Sequence, residues 1–93
     1  MIYKLNEKEY ETKEITFKEV VKMEKCGVNF NAMDNATFTQ AESLISYITG
    51  LPKDKVDFEI EEHLKKGGSI DEVLLCFNIL TESDFFKKVG VKN

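Results

Sequence analysis

The sequence contains no arginine and no tryptophan, so all thirteen of its basic residues are lysines. Seventeen acidic residues outnumber them and bring the formal net charge to −4. Proteins that bind nucleic acids usually carry a basic face, on which arginines contact phosphates and guanine edges. The composition therefore argues against nucleic acid as the main partner of this protein.

Long apolar runs are also missing, and none approaches the roughly 20 residues that a membrane-spanning helix needs. The opening segment, MIYKLNEKEYETK, is charged and alternates in polarity, unlike a targeting peptide. Cysteine occurs only as Cys26 and Cys76, and both positions fall in segments with a helical pattern. Two half-buried, reduced thiols are typical of a cytosolic protein. We therefore expect a cytoplasmic protein that makes no membrane contact.

Residues that carry out chemistry are equally scarce. His63 is the only histidine, and neither CxxC nor HExxH, two common spacings of metal ligands, occurs. Four of the five glycines follow the end of a predicted helix and Gly68 adjoins one, which leaves none for a phosphate-binding loop. A solvated helix face explains most simply the cluster of acidic residues Asp57, Glu59, Glu61 and Glu62. The sequence predicts no catalytic residue, no metal or cofactor site and no small-molecule substrate.

At the N-terminus, residues 2–5 and residues 8–13 alternate in polarity with the period of two that is typical of a β-strand. Asn6 and Glu7 separate the two segments, and asparagine suits a tight turn. No glycine follows Asn6, so the tightest type of turn is only weakly indicated. We predict a β-hairpin, which must lie on the helices because an isolated hairpin is only marginally stable.

The helix that we expect at the centre of the fold covers residues 37–50. One apolar stripe with helical spacing is formed by Phe38, Ala41, Leu44, Ile45 and Ile48. Thr37 and Gln40 have the spacing of a capping box, and Gly50 followed by Pro52 predicts the end of the helix. The opposite face is almost uncharged, which predicts that protein covers this helix on more than one side.

A second capping box predicts a helix before the central one. Thr16 with Glu19 opens this helix, and Gly27 ends it. An asparagine-rich loop with one helical turn follows. We expect its two large apolar residues, Phe30 and Met33, to lie under the domain.

Further helices are predicted after the central one. Residues 53–66 form a charged amphipathic helix whose apolar stripe is Val56, Ile60 and Leu64. Ser69 with Glu72 forms a third capping box, which opens a helix whose inner side is predicted to carry Ile70, Val73, Leu74, Phe77 and Leu80. Ser83 caps a last short helix, which we expect to end at Gly90.

These signals together predict a mainly α protein of the α+β type. A β-hairpin over residues 1–14 precedes four to five short helices, which form a compact helical bundle over residues 15–93. We expect a single domain over residues 1–93, because a chain of this length has room for only one small core. A small core also favours stabilisation by oligomerisation.

More large apolar residues occur near the C-terminus than one small core easily buries. The predicted helix after Gly68 has a second apolar side, and the last helix adds two phenylalanines and a valine. Core packing is one explanation, and an interface with another copy or an apolar partner is the other, because large exposed apolar patches usually mark binding sites. The candidate protein-binding residues are Leu75, Ile79, Phe85, Phe86 and Val89.

Two longer segments carry a recognisable pattern. The first, IYKLNEKEYETKEITFKEVVKMEKCGVNF, contains T-F-x-x-x-x-x-x-E-x-x-G-[VI], and the second, LTESDFFKKVG, contains S-x-F-F. With a hairpin before them and helices between them, these segments resemble the tail assembly chaperones of long-tailed bacteriophages and prophages. The strand pair over residues 5–13 looks like the opening of that family, although Glu7 stands where a glycine is expected after Asn6. The resemblance covers most of the chain.

This resemblance implies a non-enzymatic protein that binds the long, helical tape measure protein and keeps it soluble while tail tube subunits assemble around it. It also implies a homo-oligomer, since some family members form rings or spirals, and a location in the bacterial host cytoplasm rather than in the mature virion. An acidic domain with spare apolar surface is suited to mask the apolar stripe of a helix. A small phage-encoded regulator or adaptor that binds a host protein has the same composition and is the alternative.

Overall fold

Two antiparallel strands followed by helices make up the part of the chain that the computed structural model describes, residues 1–88. The strands are Ile2–Leu5 (β1) and Lys8–Glu11 (β2). The helices are Phe17–Lys25 (α1), Thr37–Thr49 (α2), Lys53–Lys65 (α3), Ile70–Leu74 (α4), Asn78–Thr81 (α5) and Asp84–Lys88 (α6). 3₁₀ turns precede α2 and join α4 to α5, at Phe30–Ala32 and Leu75–Phe77.

The predicted fold class is confirmed. A hairpin precedes the helices, and residues 1–88 contain five helical segments when the continuous stretch from α4 to α5 is counted once. The helix end predicted at Gly90 lies outside the described residues.

The strands pair with Leu5 opposite Lys8, and the turn between them consists of Asn6 and Glu7. Both turn residues have positive φ angles, 51° and 66°, which are typical of a two-residue type I′ turn. The predicted position of the turn is therefore confirmed, and the tight turn forms without glycine. Asparagine tolerates this conformation, whereas Glu7 adopts it at a steric cost to its Cβ atom.

Replacing Glu7 by glycine is expected to stabilise the protein by about 0.5–1 kcal/mol. The substitution removes a left-handed strain of about 1–2 kcal/mol and adds a smaller cost in backbone entropy. For a domain of this size the midpoint of thermal unfolding rises by about 2–8 °C, which scanning calorimetry measures. The matched control is Glu9→Gly in β2, outside the turn, which is expected to lower the midpoint. A lowered midpoint for Glu7→Gly would show that the turn is not strained.

α1 begins at the predicted cap, where half of the predicted capping box forms. The hydroxyl group of Thr16 accepts the backbone N–H of Glu19 at 3.4 Å. In a complete capping box the Glu19 carboxylate would accept the backbone N–H of Thr16. It instead accepts hydrogen bonds from the Tyr47 hydroxyl of α2 and from the Lys22 ammonium. The hydrogen bond from Tyr47, followed by that from Lys22, lowers the pKa of the Glu19 carboxyl group. Glu19 therefore links α1 to α2.

The beginning of α2 differs from the prediction. Ala36, which has no polar side chain, occupies the N-cap position, so the capping box predicted from Thr37 and Gln40 is wrong. The Gln40 side chain is buried, and its Oε1 atom accepts the backbone N–H of Asn29 at 2.6 Å. The end of the helix is as predicted, since Gly50 adopts a left-handed conformation with φ of 77°.

The buried face of α2 is rotated relative to the predicted stripe. Phe38 is 64% exposed, so its predicted place in the core is wrong, whereas the rest of the stripe is buried or half-buried. Gln40 and Ser43 are buried as well, which moves the covered face toward them and leaves Phe38 at its edge. Their burial agrees with protein on more than one side of α2, because α1, α3, β2 and the 3₁₀ turn Leu75–Phe77 all contact this helix.

α3 faces the core with Val56, which is fully buried, and with Ile60, which is half-buried. Leu64 is 41% exposed, so its predicted place in the stripe is wrong. Residues spaced by four move gradually around a helix of about 3.6 residues per turn, which carries Leu64 away from the buried face. The covered face of α3 instead follows steps of three and four, from Val56 to Glu59 and His63. This face packs against the hairpin.

The third capping box is complete. The Ser69 hydroxyl accepts the backbone N–H of Glu72 at 3.1 Å, and the Glu72 carboxylate accepts the backbone N–H of Ser69 at 2.9 Å. This reciprocal pair confirms the predicted start of α4.

The segment after this cap is not a uniform α-helix, and this changes which residues are buried. In a 3₁₀ turn every third residue lies on the same face. The turn Leu75–Phe77 accordingly places Val73, Cys76 and Ile79 in the core. Ile79, predicted on the outer side, is buried, whereas Ile70, predicted on the inner side, is 39% exposed.

The hairpin and the helices share one core. The hydroxyl group of Tyr3 donates to the backbone carbonyl of Val73 at 2.9 Å, which holds β1 over α4. Within residues 1–88 no helix is both long and apolar enough to cross a membrane. The buried apolar residues of the described chain are Tyr3, Leu5, Ile15, Met23, Val28, Ala41, Leu44, Ile45, Val56, Val73, Cys76, Ile79 and Leu80.

Candidate protein-binding surfaces

The residues predicted to bind a partner do not form one surface. Leu75 is 53% exposed, whereas Ile79 is only 5% exposed and belongs to the core, so it is not available to a partner in this fold. Phe85 and Phe86 are half-buried against the core. Val89 lies outside the described residues. Leu75 and Phe86 line different grooves, so the predicted set divides between two sites.

The larger of these grooves is mainly apolar and has a volume of about 650 Å³. We call it the aromatic groove, and its apolar lining consists of Phe30, Met33, Phe77, Leu80 and Phe86. Its polar rim consists of Asp34, Thr37, Thr81 and Lys87. The sequence placed Phe30 and Met33 under the domain, and both do pack against the core, but they also leave one side open to the groove.

α6 holds Phe86 in the aromatic groove. The Ser83 hydroxyl accepts the backbone N–H of Phe86 at 3.2 Å, which confirms Ser83 as the cap of the last helix. The rings of Phe86 and Phe30 are tilted at 38° with centroids 5.4 Å apart. Phe85 packs edge-on against Phe86 at 5.2 Å, a favourable geometry for two aromatic rings. The loop before α2 and the last helix therefore meet through aromatic contacts.

His63 joins the hairpin to the start of α4. Its Nδ1 atom accepts the backbone N–H of Asn6 at 2.9 Å, and its Nε2 atom lies 3.0 Å from the Glu72 carboxylate. A backbone N–H can only donate, so the neutral ring carries its proton on Nε2 and donates it to Glu72. Both ring nitrogens are thereby occupied, which leaves no free nitrogen to act as a general base. His63 has a structural role here.

Glu59 is a second anchor of the hairpin, so its predicted place on a solvated helix face is wrong. Its carboxylate accepts the Asn6 amide at 2.8 Å and the Lys8 ammonium at 3.2 Å. The hydrogen bond from Asn6 is the main cause that lowers the pKa of Glu59, followed by Lys8. A carboxyl group with a lowered folded-state pKa stabilises the fold above its unfolded pKa, and this stabilisation is lost as the pH falls through the folded value. The attachment of the hairpin is therefore weaker in acid.

The two cysteines differ in their burial. Cys76 is fully buried, and burial raises the pKa of its thiol to about 12. Cys26 is half-buried at the C-terminal end of α1, and both thiols are free. Among residues 1–88, no group of three or more histidine, cysteine, aspartate or glutamate side chains is placed to hold a metal ion.

Most residues of the T-F-x-x-x-x-x-x-E-x-x-G-[VI] pattern support the fold. Thr16 caps α1 and Val28 is buried in the core. Gly27 ends the helix with φ of 107°, at a place where side chains from α2 and α3 leave little room for a Cβ atom. Phe17 differs, because it is 71% exposed and core packing does not explain it.

No known family model, curated protein or solved structure matches the chain. The resemblance to tail assembly chaperones therefore stays a prediction that rests on the quoted segments.

Proposed function

We propose that this protein is a non-enzymatic phage or prophage tail assembly chaperone, which binds the helical tape measure protein and keeps it soluble in the host cytoplasm. The observation that carries the proposal is the aromatic groove, an open groove in which Phe30, Met33, Phe77 and Phe86 stay only partly buried against the core. It adds to the resemblance in sequence, which points to the same partner.

The lining of the aromatic groove suits the apolar stripe of a helix. In the helix-in-groove mode, side chains at steps of three and four residues insert into an apolar channel as anchors. A volume of about 650 Å³ accommodates a few such anchors. Met33 and the phenylalanines are residue types that adapt to different apolar partners and contribute large contact areas. The groove thus fits many positions along a long repetitive helix.

The charge of the protein supports the solubilising part of the role. A long helix with an exposed apolar stripe associates with other copies of the same helix. Bound domains that each carry a net charge of −4 repel one another and so oppose this association. Several copies along one partner bring several such charges. Self-association and contact with the tail tube protein belong to the same proposal, and they rest on the resemblance.

Co-expression with the long helical protein encoded in the same gene cluster tests the proposal. We expect this partner to be soluble and to co-purify only when the chaperone is present. Thr81→Arg places a long charged side chain at the exposed rim of the aromatic groove without removing core contacts. This variant is expected to reduce co-purification on the order of tenfold, which corresponds to about 1.4 kcal/mol.

Thr39→Arg is the matched control, because Thr39 is an exposed threonine of α2 that does not line the groove. Circular dichroism and the thermal midpoint verify that both variants fold. Equal co-purification by both variants would exclude the groove as the binding site. A partner that is insoluble, or equally soluble, with and without this protein would contradict the chaperone function. A different host protein bound with fixed stoichiometry would favour the regulator.

A further inference from the structure

β1 presents an outer edge whose backbone groups point away from the hairpin. The backbone N–H of Thr12 donates to the carbonyl of Met1 at 2.9 Å, so these two residues form a hydrogen-bonded pair. Such pairs alternate along antiparallel strands, so Ile2 and Lys4 direct their backbone N–H and C=O groups outward. The sheet of residues 1–88 has two strands, and no further strand covers this edge.

A groove of about 380 Å³ runs beside this edge, and we call it the strand groove. One wall is the whole of β1, and the other is the segment from α4 to α5, on which Leu75 is exposed. Ile2 is 48% exposed and Leu75 is 53% exposed, so apolar side chains are accessible on both walls. The groove therefore combines unpaired backbone groups with apolar side chains along one strand length.

The end of the strand groove near the hairpin turn is acidic. Glu7 and Glu72 line it, with side chains that are 79% and 56% exposed. The hydrogen bond from the Ser69 backbone, followed by that from His63, lowers the pKa of Glu72. The Lys66 ammonium lies 4.0 Å from the Glu7 carboxylate and offsets part of its charge, whereas Lys4 offsets little because its ammonium group lies 3.7 Å from Glu9. A cation on the partner is therefore favoured at this end.

We propose that the strand groove binds an extended peptide segment of a partner protein by strand addition to β1. Backbone groups spaced two residues apart are matched by another extended strand, and main-chain hydrogen bonds supply affinity in this mode. The bound segment has apolar residues at the alternate positions that face Leu75, on the side of the sheet that Tyr3 and Leu5 turn to the core, and a lysine or arginine near Glu7 and Glu72. This site is separate from the aromatic groove and does not depend on the proposed function.

A second copy of the chain fits less well as the occupant. In such a dimer the two β1 strands would pair edge to edge, and each strand lies beside its own wall with Leu75. The two walls would then occupy the same space beside the paired strands. Each copy also carries a net charge of −4. A flexible segment outside any folded domain has neither obstacle.

A synthetic peptide, acetyl-Thr-Val-Thr-Val-Thr-Lys-amide, tests the site when it is titrated into the whole ¹⁵N-labelled chain. Concentrations up to about 1 mM detect complexes as weak as about −4 kcal/mol. We expect the amide signal of Lys4 to shift and its hydrogen exchange to slow on the order of tenfold, since the amide gains a partner. N-methylation of one alternating set of peptide amides is expected to abolish binding, whereas methylation of the other set leaves it intact.

Lys4→Pro removes the outward N–H of β1, and an edge strand tolerates proline at such a position. We expect this variant to bind the peptide at least about tenfold more weakly. Glu9→Pro is the matched control, because Glu9 lies opposite Lys4 and directs its N–H to the other edge of the hairpin. It disturbs the same hairpin and loses the same ion pair, yet it is expected to bind normally.

Three results would overturn the proposal. The first is no shift of the Lys4 amide at any peptide concentration. The second is equal weakening by Lys4→Pro and Glu9→Pro. The third is a dimer, seen by sedimentation, that Lys4→Pro dissociates, since a second copy would then occupy the edge. Thr81→Arg, which blocks the aromatic groove, is expected to leave peptide binding unchanged, so failure of one site is distinguishable from failure of the other.

Discussion

Replacing Ile79 by alanine is expected to lower the free energy of unfolding by about 2–5 kcal/mol. Ile79 is 5% exposed and lies in the same core as Val73 and Cys76, so truncation removes buried methyl groups and leaves a cavity. A domain of this size has a total stability of only about 5–10 kcal/mol, so the loss is a large fraction of it. Urea unfolding measures the change as a lower midpoint with an unchanged slope.

Leu75→Ala is the control for this prediction. Leu75 lies in the same helical segment but is 53% exposed, so its truncation is expected to change stability by no more than about 0.5 kcal/mol. Similar costs for the two substitutions would mean that the 3₁₀ turn Leu75–Phe77 does not set which side of the segment is buried. Of these two predicted binding residues, only Leu75 is exposed enough to contact a partner. The two substitutions therefore also separate a role in the core from a role in binding.

Replacing Gly68 by alanine is expected to destabilise the protein by about 1–3 kcal/mol, as overpacking in a tight site does. A Cβ atom at this position would overlap the His63 ring. The ring cannot simply turn away, because its two nitrogens bond Asn6 and Glu72. Either the clash or the loss of both hydrogen bonds weakens the attachment of the hairpin, and thermal unfolding measures the cost.

A double-mutant cycle with His63→Ala identifies the cause. Once the ring is absent, alanine at position 68 meets no obstacle, and its cost is expected to fall to within about 0.5 kcal/mol of zero. The coupling energy between the two sites is then about 1–3 kcal/mol. If Gly68→Ala costs as much without the ring as with it, the backbone conformation at Gly68 is responsible and the contact with His63 is not.

Hydrogen bonds within one turn of chain made several elements predictable. The reciprocal bonds of Ser69 and Glu72 join residues three positions apart, so the two residue types indicate the start of α4 without knowledge of the rest of the fold. The end of α2 at Gly50 is predictable for the same reason, because a left-handed residue is needed there. The alternation in residues 2–11 likewise reports the strand pair directly.

The same local signals failed where a distant partner competed for the side chain. Gln40 has the spacing to cap α2, but its amide oxygen accepts the N–H of Asn29, which would otherwise be left without a bond. Glu19 has the spacing to complete the cap of α1, but Tyr47 and Lys22 hold its carboxylate. A pattern of three or four neighbouring residues does not show which distant group will bind a side chain.

The sequence by itself determined most element types, most helix ends and the acidic net charge with lysine as the only basic residue, because backbone conformation and charge depend on residues close together in the chain. The tertiary structure alone decided which side of each element is covered. It exposed Phe38 and Leu64, buried Ile79, and brought Phe30 and Phe86 together across a separation of 56 positions along the aromatic groove. Burial is a property of packing between elements, and a small rotation of a helix, or one 3₁₀ turn, is enough to exchange its inner and outer residues.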